Sequence, residues 1–172
     1  MKRLLVFLIL WLSVYAHAAL NIFACEPEWA ALAKEIGGDD VRVYAATTAL
    51  QDPHRIEARP SLIAQMRRAN LVVCTGAELE AGWLPVLLQN ANNAAVQPGR
   101  PGYFEAARFV PLLEKPARLD RADGDVHAAG NPHLHTDPRN ILRVAEALTA
   151  RLAEGGEVDQ APTEVLVNTL SL

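Results

Sequence analysis

The chain has 172 residues, of which 51% are hydrophobic and 21% charged, with a formal net charge of −4 when histidine is counted neutral. That length bounds it to one domain with a real core. The acidic balance argues against nucleic acid as a partner and does not repel a metal cation.

The chain opens MKRLLVFLILWLSVYAHA. Lys2 and Arg3 make a basic start, Leu4 to Tyr15 is almost wholly apolar, and Ala16-His17-Ala18 places small residues where a signal peptidase reads. Residues 1–18 are therefore expected to be a secretory signal peptide. The apolar run falls short of the roughly 20 residues a spanning helix needs. Two of the sixteen basic residues and none of the twenty acidic ones lie in this segment, so the remainder carries a formal charge of −6. No second long apolar segment follows, and a protein soluble outside the cytoplasm is expected.

Leu20–Cys25 is a compact apolar run suited to a buried strand. Glu26-Pro27-Glu28 then opens a helix, since proline is tolerated in a first turn and acids suit its positive end. Trp29, Leu32, Ala33 and Ile36 follow at helical spacing, and Gly37-Gly38 stops them. Val41–Ala46 is a second strand, so the segment reads as a βαβ unit and predicts a parallel sheet.

A polar loop, Thr47 to Arg59, contains Asp52-Pro53-His54. Pro60-Ser61 starts an amphipathic helix with Leu62, Ile63, Met66 and Ala69 inward, and with Arg67 and Arg68 near its negative end. Leu71–Cys74 is a third strand. Glu78 to Gln89 reads as a helix in which Pro85 marks either a kink or a second start. Asn90 to Pro101 is loop, and Phe109 to Leu113 is a weak edge strand because it holds Pro111. Asn140–Leu152 has helical periodicity ended by Gly155-Gly156. The tail, Glu157 to Leu172, is a last strand or a ragged end. Alternating strands and helices predict an α/β fold, a three-layer sandwich with a mostly parallel sheet, whose ligands bind beyond the carboxyl ends of the strands.

The residues with chemistry cluster. His127, His133 and His135 fall within nine residues, three of the five histidines in the chain, and His54 sits in another polar loop on the expected binding face. Imidazole is the commonest protein ligand for zinc, so the cluster reads as a metal site. Cys25 and Cys74 each close an apolar run and lie near one sheet edge, as a disulfide in an oxidising compartment or as two buried thiols. No CxxC or CxxH spacing points to a thiolate zinc site.

The runs FACEPEWAALAKEIGG, ATTALQDPHRIEARPSLI, LVVCTGAELEAGWLP and GDVHAAGNPHLHTDPRNI together resemble the periplasmic zinc-binding receptors of bacterial ABC transporters. These are solute-binding proteins with two α/β lobes joined by a long helix. The resemblance spans about residues 20 to 153 and corresponds to the N-terminal lobe. It implies a signal peptide at 1–18, a receptor lobe at 19–154 and an atypical tail at 155–172.

By that resemblance His54, in its Asp-Pro-His segment, and His133, in an Asn-Pro-His segment before a helix, are the metal ligands. His135 stands where many members carry an aromatic residue, as a second-shell partner, an alternative ligand or a solvent-facing side chain. His127 is a thin version of a histidine-rich loop. The implied cargo is Zn2+, with Mn2+ second because its sites lean on oxygen donors. The implied partner is the membrane permease of an ABC transporter, the implied location is the periplasm and the implied state a monomer, and no catalysis is required. Family members continue into a second lobe that supplies further ligands, so the resemblance implies a truncated or frameshifted product with an exposed apolar face. Two rivals are a secreted metal-dependent hydrolase built on the His133/His135 pair, with Asp125 or Asp137 as base, and a non-functional fragment.

Overall fold

The apolar run before Cys25 becomes a central strand because both its faces are buried. In the computed structural model, which describes residues 19–118 and 126–154, β1 (Leu20–Ala24) pairs in parallel with β2 (Val41–Ala45) on one side and β3 (Leu71–Cys74) on the other. β4 (Tyr103–Glu105) adds in parallel to β3, giving the order β2-β1-β3-β4. The expected signal peptide and tail lie outside the described residues.

Side-chain alternation along the strands builds two cores. Leu20, Ile22 and Ala24 of β1 join Leu71 and Val73 of β3 beneath α1 (Pro27–Gly37) and α4 (Pro138–Glu154), which contribute Trp29, Leu32, Ile36, Val144 and Leu148. Phe23, Cys25, Val72 and Cys74 face the other way, onto Leu62 and Met66 of α2 (Pro60–Arg68) and Leu84, Leu87 and Leu88 of α3 (Leu84–Ala91). Fully burying side chains of this size stabilises the fold by about 1.5–3 kcal/mol each. The result is the three-layer α/β sandwich, with all four strands parallel.

Two local expectations differ from the structure. The helix expected from Glu78 begins only at Leu84, with Pro85 in its first turn. Gly76, Ala77 and Glu78 all have positive φ (77°, 50° and 69°), which a right-handed helix excludes. The edge strand expected at Phe109–Leu113 lies instead at Tyr103–Glu105, followed by a 3-10 turn over Ala106–Phe109. Pro111 has no donor for a ladder, and Phe109 stacks on Phe104 with ring centroids 4.8 Å apart.

The strand order reverses direction between β1 and β3. From β1 the chain winds outward to β2, and from β3 it winds the opposite way to β4. Open α/β sheets bind ligands at that reversal, outside the carboxyl ends of the strands.

Candidate metal centre

His54 is presented by a turn whose geometry its neighbours dictate. Asp52 Oδ1 accepts the His54 backbone N–H at 3.0 Å, and Pro53 fixes the backbone between them. The same oxygen lies 2.8 Å from His54 Nδ1. A carboxylate there favours the Nδ1–H tautomer, which leaves Nε2 as the lone-pair nitrogen. Hydrogen bonds from the His54 ring and backbone hold the Asp52 carboxyl below the usual carboxylate range. The loop is tied down at two points. Thr47 donates its hydroxyl to Cys25 O at 2.8 Å, and the buried Trp83 donates its indole N–H to Pro53 O at 2.8 Å.

His133 is presented by the same device. Asn131 Oδ1 accepts the His133 N–H at 2.9 Å across Pro132. Asn131 in turn donates its backbone N–H to Leu113 O at 2.8 Å and its amide to Glu114 Oε2 at 2.8 Å. His127 meets the same ring: its Nε2 stands 3.2 Å from His54 Nε2, and the two rings stack with centroids 5.2 Å apart. His133 meets His54 edge-on at 5.9 Å between centroids. His127, Val126, Asn131, His133 and Glu114 line a cavity of about 250 Å³.

His127 is held by a residue the sequence did not reveal. Glu78 Oε2 accepts the backbone N–H of Ala128 at 2.7 Å. Glu78 had read as the start of a helix, and no sequence signal distinguishes it from one. His135 turns the other way, with Nδ1 3.2 Å from Glu28 Oε1 on α1.

A buried acidic pair sits around Thr75, just past the carboxyl ends of β1 and β3. Glu26 and Glu80 are 2% and 3% exposed. Thr75 donates its backbone N–H to Glu80 Oε1 at 2.7 Å and its hydroxyl to Glu26 Oε2 at 3.1 Å, while Trp29 donates to the Thr75 hydroxyl at 2.8 Å. Burial, then the neighbouring Glu80, pushes the Glu26 carboxyl well above the ordinary range, and burial also raises Glu80. Cys25 and Cys74, adjacent across β1 and β3, are joined as a disulfide with Cα atoms 4.8 Å apart. Among the described residues, Cys25, Cys74 and Glu80 form the one trio of metal-type donors lying within 4.8 Å of one another. The bridge occupies both sulfurs, so this trio is not a metal centre.

The hydrolase alternative required His133 and His135 to point the same way from extended backbone. Leu134–Thr136 is instead a 3-10 turn, and the two rings stand 6.2 Å apart at 84°. Residues two apart in such a turn face different directions. Asp137 is engaged by Arg139, which donates to its carboxylate at 2.7 and 3.0 Å and lowers its pKa. Asp125 lies outside the described residues.

A parallel four-stranded α/β sandwich whose loops bring His54, His127 and His133 together is the architecture of a metal-receptor lobe. The family model described as zinc-uptake complex component A, periplasmic, matches residues 22–163, and the chain belongs to that family. It is a family of substrate-binding proteins of ABC transporters and not of enzymes. A manganese ABC transporter substrate-binding lipoprotein of Streptococcus gordonii is 24% identical over 152 residues, covering 87% of this chain and 46% of its own. A crystal structure of ZnuA superposes with a TM-score of 0.69 at 25% identity, over 89% of this chain and 55% of that one. The Zn(II)-bound ZnuA-like domain of Streptococcus pneumoniae AdcA shares the fold, with a TM-score of 0.66 at 20% identity over 90% and 52% of the two chains. The chain spans about half the length of the curated relatives it matches.

Proposed function

We propose that this chain is the zinc-binding lobe of an exported substrate-binding protein, which captures Zn2+ outside the cytoplasm through His54 and His133 and delivers it to the permease of an ABC importer. The observation that carries this reading is the paired presentation of the two histidines. Each follows an Asx-Pro step whose side chain accepts the histidine N–H, and the two rings meet edge-on. Imidazole donors favour zinc over manganese, which prefers oxygen ligands. The manganese-named relatives make Mn2+ the competitor to test. Residues 1–18 serve as the export signal in this reading, and residues 19–154 form the receptor lobe.

Titration of the purified chain with Zn2+ and with Mn2+ against a competing chelator tests it. Zinc is expected to bind more tightly than manganese, with His54→Ala and His133→Ala each weakening it. Zinc binding unaffected by both substitutions would overturn the assignment of ligands. Manganese binding tighter than zinc would overturn the choice of cargo.

A further inference from the structure

We infer that His127 is a third metal ligand contributed by this same lobe, and that Glu78 is the positioning residue that brings it there. This inference rests on the metal-receptor reading and extends it, since that reading needs only His54 and His133.

The Nε2 atoms of His54 and His127 stand 3.2 Å apart. Two nitrogens each about 2.0–2.1 Å from a tetrahedral zinc ion stand about 3.3 Å from one another. The pair is therefore already at ligand spacing. Asp52 holds the His54 proton on Nδ1, so in the metal-free protein His127 donates Nε2–H to His54 Nε2. Zinc takes the place of that hydrogen bond: the single ring proton of His127 passes from Nε2 to Nδ1, so both rings stay neutral and each offers an Nε2 lone pair to the ion. His133, on an exposed loop position beside them, closes on the ion by a rotamer change. Three imidazoles leave one zinc position open, which suits a cargo that must be released.

Glu78 gives this arrangement its cause. The backbone at Gly76, Ala77 and Glu78 is left-handed, and Ala77 and Glu78 occupy a region that side-chain-bearing residues visit at a cost. That conformation aims the Glu78 carboxylate at the N–H of Ala128, the residue after His127. Strain at a non-glycine position that orders a loop is the mark of a positioning element rather than of a helix that failed to start.

Zinc affinity by chelator competition, with X-ray absorption to count imidazoles, tests both parts on the full chain. His127→Ala is expected to weaken zinc about tenfold or more and to lower the imidazole count from three to two. Glu78→Ala is expected to weaken zinc while keeping three imidazoles at saturation. Glu78→Gln, whose amide oxygen still accepts from Ala128, restores the affinity. If His54→Ala and His133→Ala weaken binding but His127→Ala changes it less than about twofold, the third ligand is overturned and the receptor reading stands. If none of the three matters, the receptor reading itself falls. Equal affinity for Glu78→Ala and wild type would remove Glu78 from the site.

Discussion

Asp52 Oδ1 lies 2.8 Å from His54 Nδ1 and also receives the His54 backbone N–H at 3.0 Å. One oxygen thus fixes both the turn and the tautomer of the imidazole. Carboxylates behind metal-binding histidines typically govern affinity by about 10–100-fold. Asp52→Ala is expected to weaken zinc within that range in a competition titration. Asp52→Asn, which keeps an acceptor but loses the charge, should lose less. Equal affinity for all three proteins would show that the Asp52 contact does not orient His54.

Gly130 has φ of 113°, and a Cβ placed there would stand 2.6 Å from Leu113 O. Its N–H donates to His127 O at 3.1 Å, and the next N–H, that of Asn131, donates to Leu113 O. A side chain would therefore push the loop that carries His127 and His133 away from the Leu112–Lys115 segment it is bonded to. Gly130→Ala is expected to cost about 1–3 kcal/mol of stability from the unfavourable backbone. It should also weaken zinc, as read by thermal melts with and without the metal. An unshifted apo melt would show that the loop relaxes around the methyl group.

Three of the four strands and three of the four helices were legible because their apolar residues recur at strand or helix period and because Pro27, Pro60 and Gly37-Gly38 punctuate them. Two stretches were not. A left-handed run through Ala77 and Glu78 leaves no compositional mark, so a helix was expected from Glu78, six residues before the one that starts at Leu84. The segment after Phe104 read as a strand at the wrong place, because Phe109 is apolar for stacking on Phe104 and not for pairing. In the site, His54 and His133 were visible through their Asx-Pro-His steps. The approach of His127 to His54 was not, since it goes with a tertiary hydrogen bond that the Ala128 N–H donates to Glu78. Glu26 read as a helix-opening acid and Glu80 fell inside the helix expected from Glu78, and only the packing of both strand ends around Thr75 buries them.

Cys25 and Cys74 are separated by 49 residues and joined across adjacent strands. Closing a loop of that length restricts the unfolded chain by about 4 kcal/mol in the chain-entropy account. The Cys25→Ala/Cys74→Ala double variant is expected to lose about 2–4 kcal/mol of unfolding free energy in urea. A thiol reductant should bring the wild type close to the same value and leave the variant unmoved. A wild type insensitive to reductant and no more stable than the variant would mean that the bridge contributes nothing.

Glu26 binds its proton more tightly in the folded chain than in the unfolded one, because burial and the neighbouring Glu80 both oppose its charge. Its Oε1 is buried without a hydrogen-bond partner, an uncompensated position for a negative oxygen. Below the ordinary glutamate pKa both states are protonated, and the group has no effect on folding. As pH rises from there, the unfolded chain releases the proton while the folded chain keeps it, so stability falls by about 1.4 kcal/mol per pH unit until the folded group ionises. Glu80, also raised, acts in the same direction. Glu26→Gln keeps an amide oxygen for the Thr75 hydroxyl and removes the titration. The variant is therefore expected to resemble the wild type near pH 4 and to exceed it in stability increasingly towards pH 7. Urea unfolding across that range would show it. Parallel stability curves for the two proteins would mean that Glu26 carries its charge in the fold without penalty.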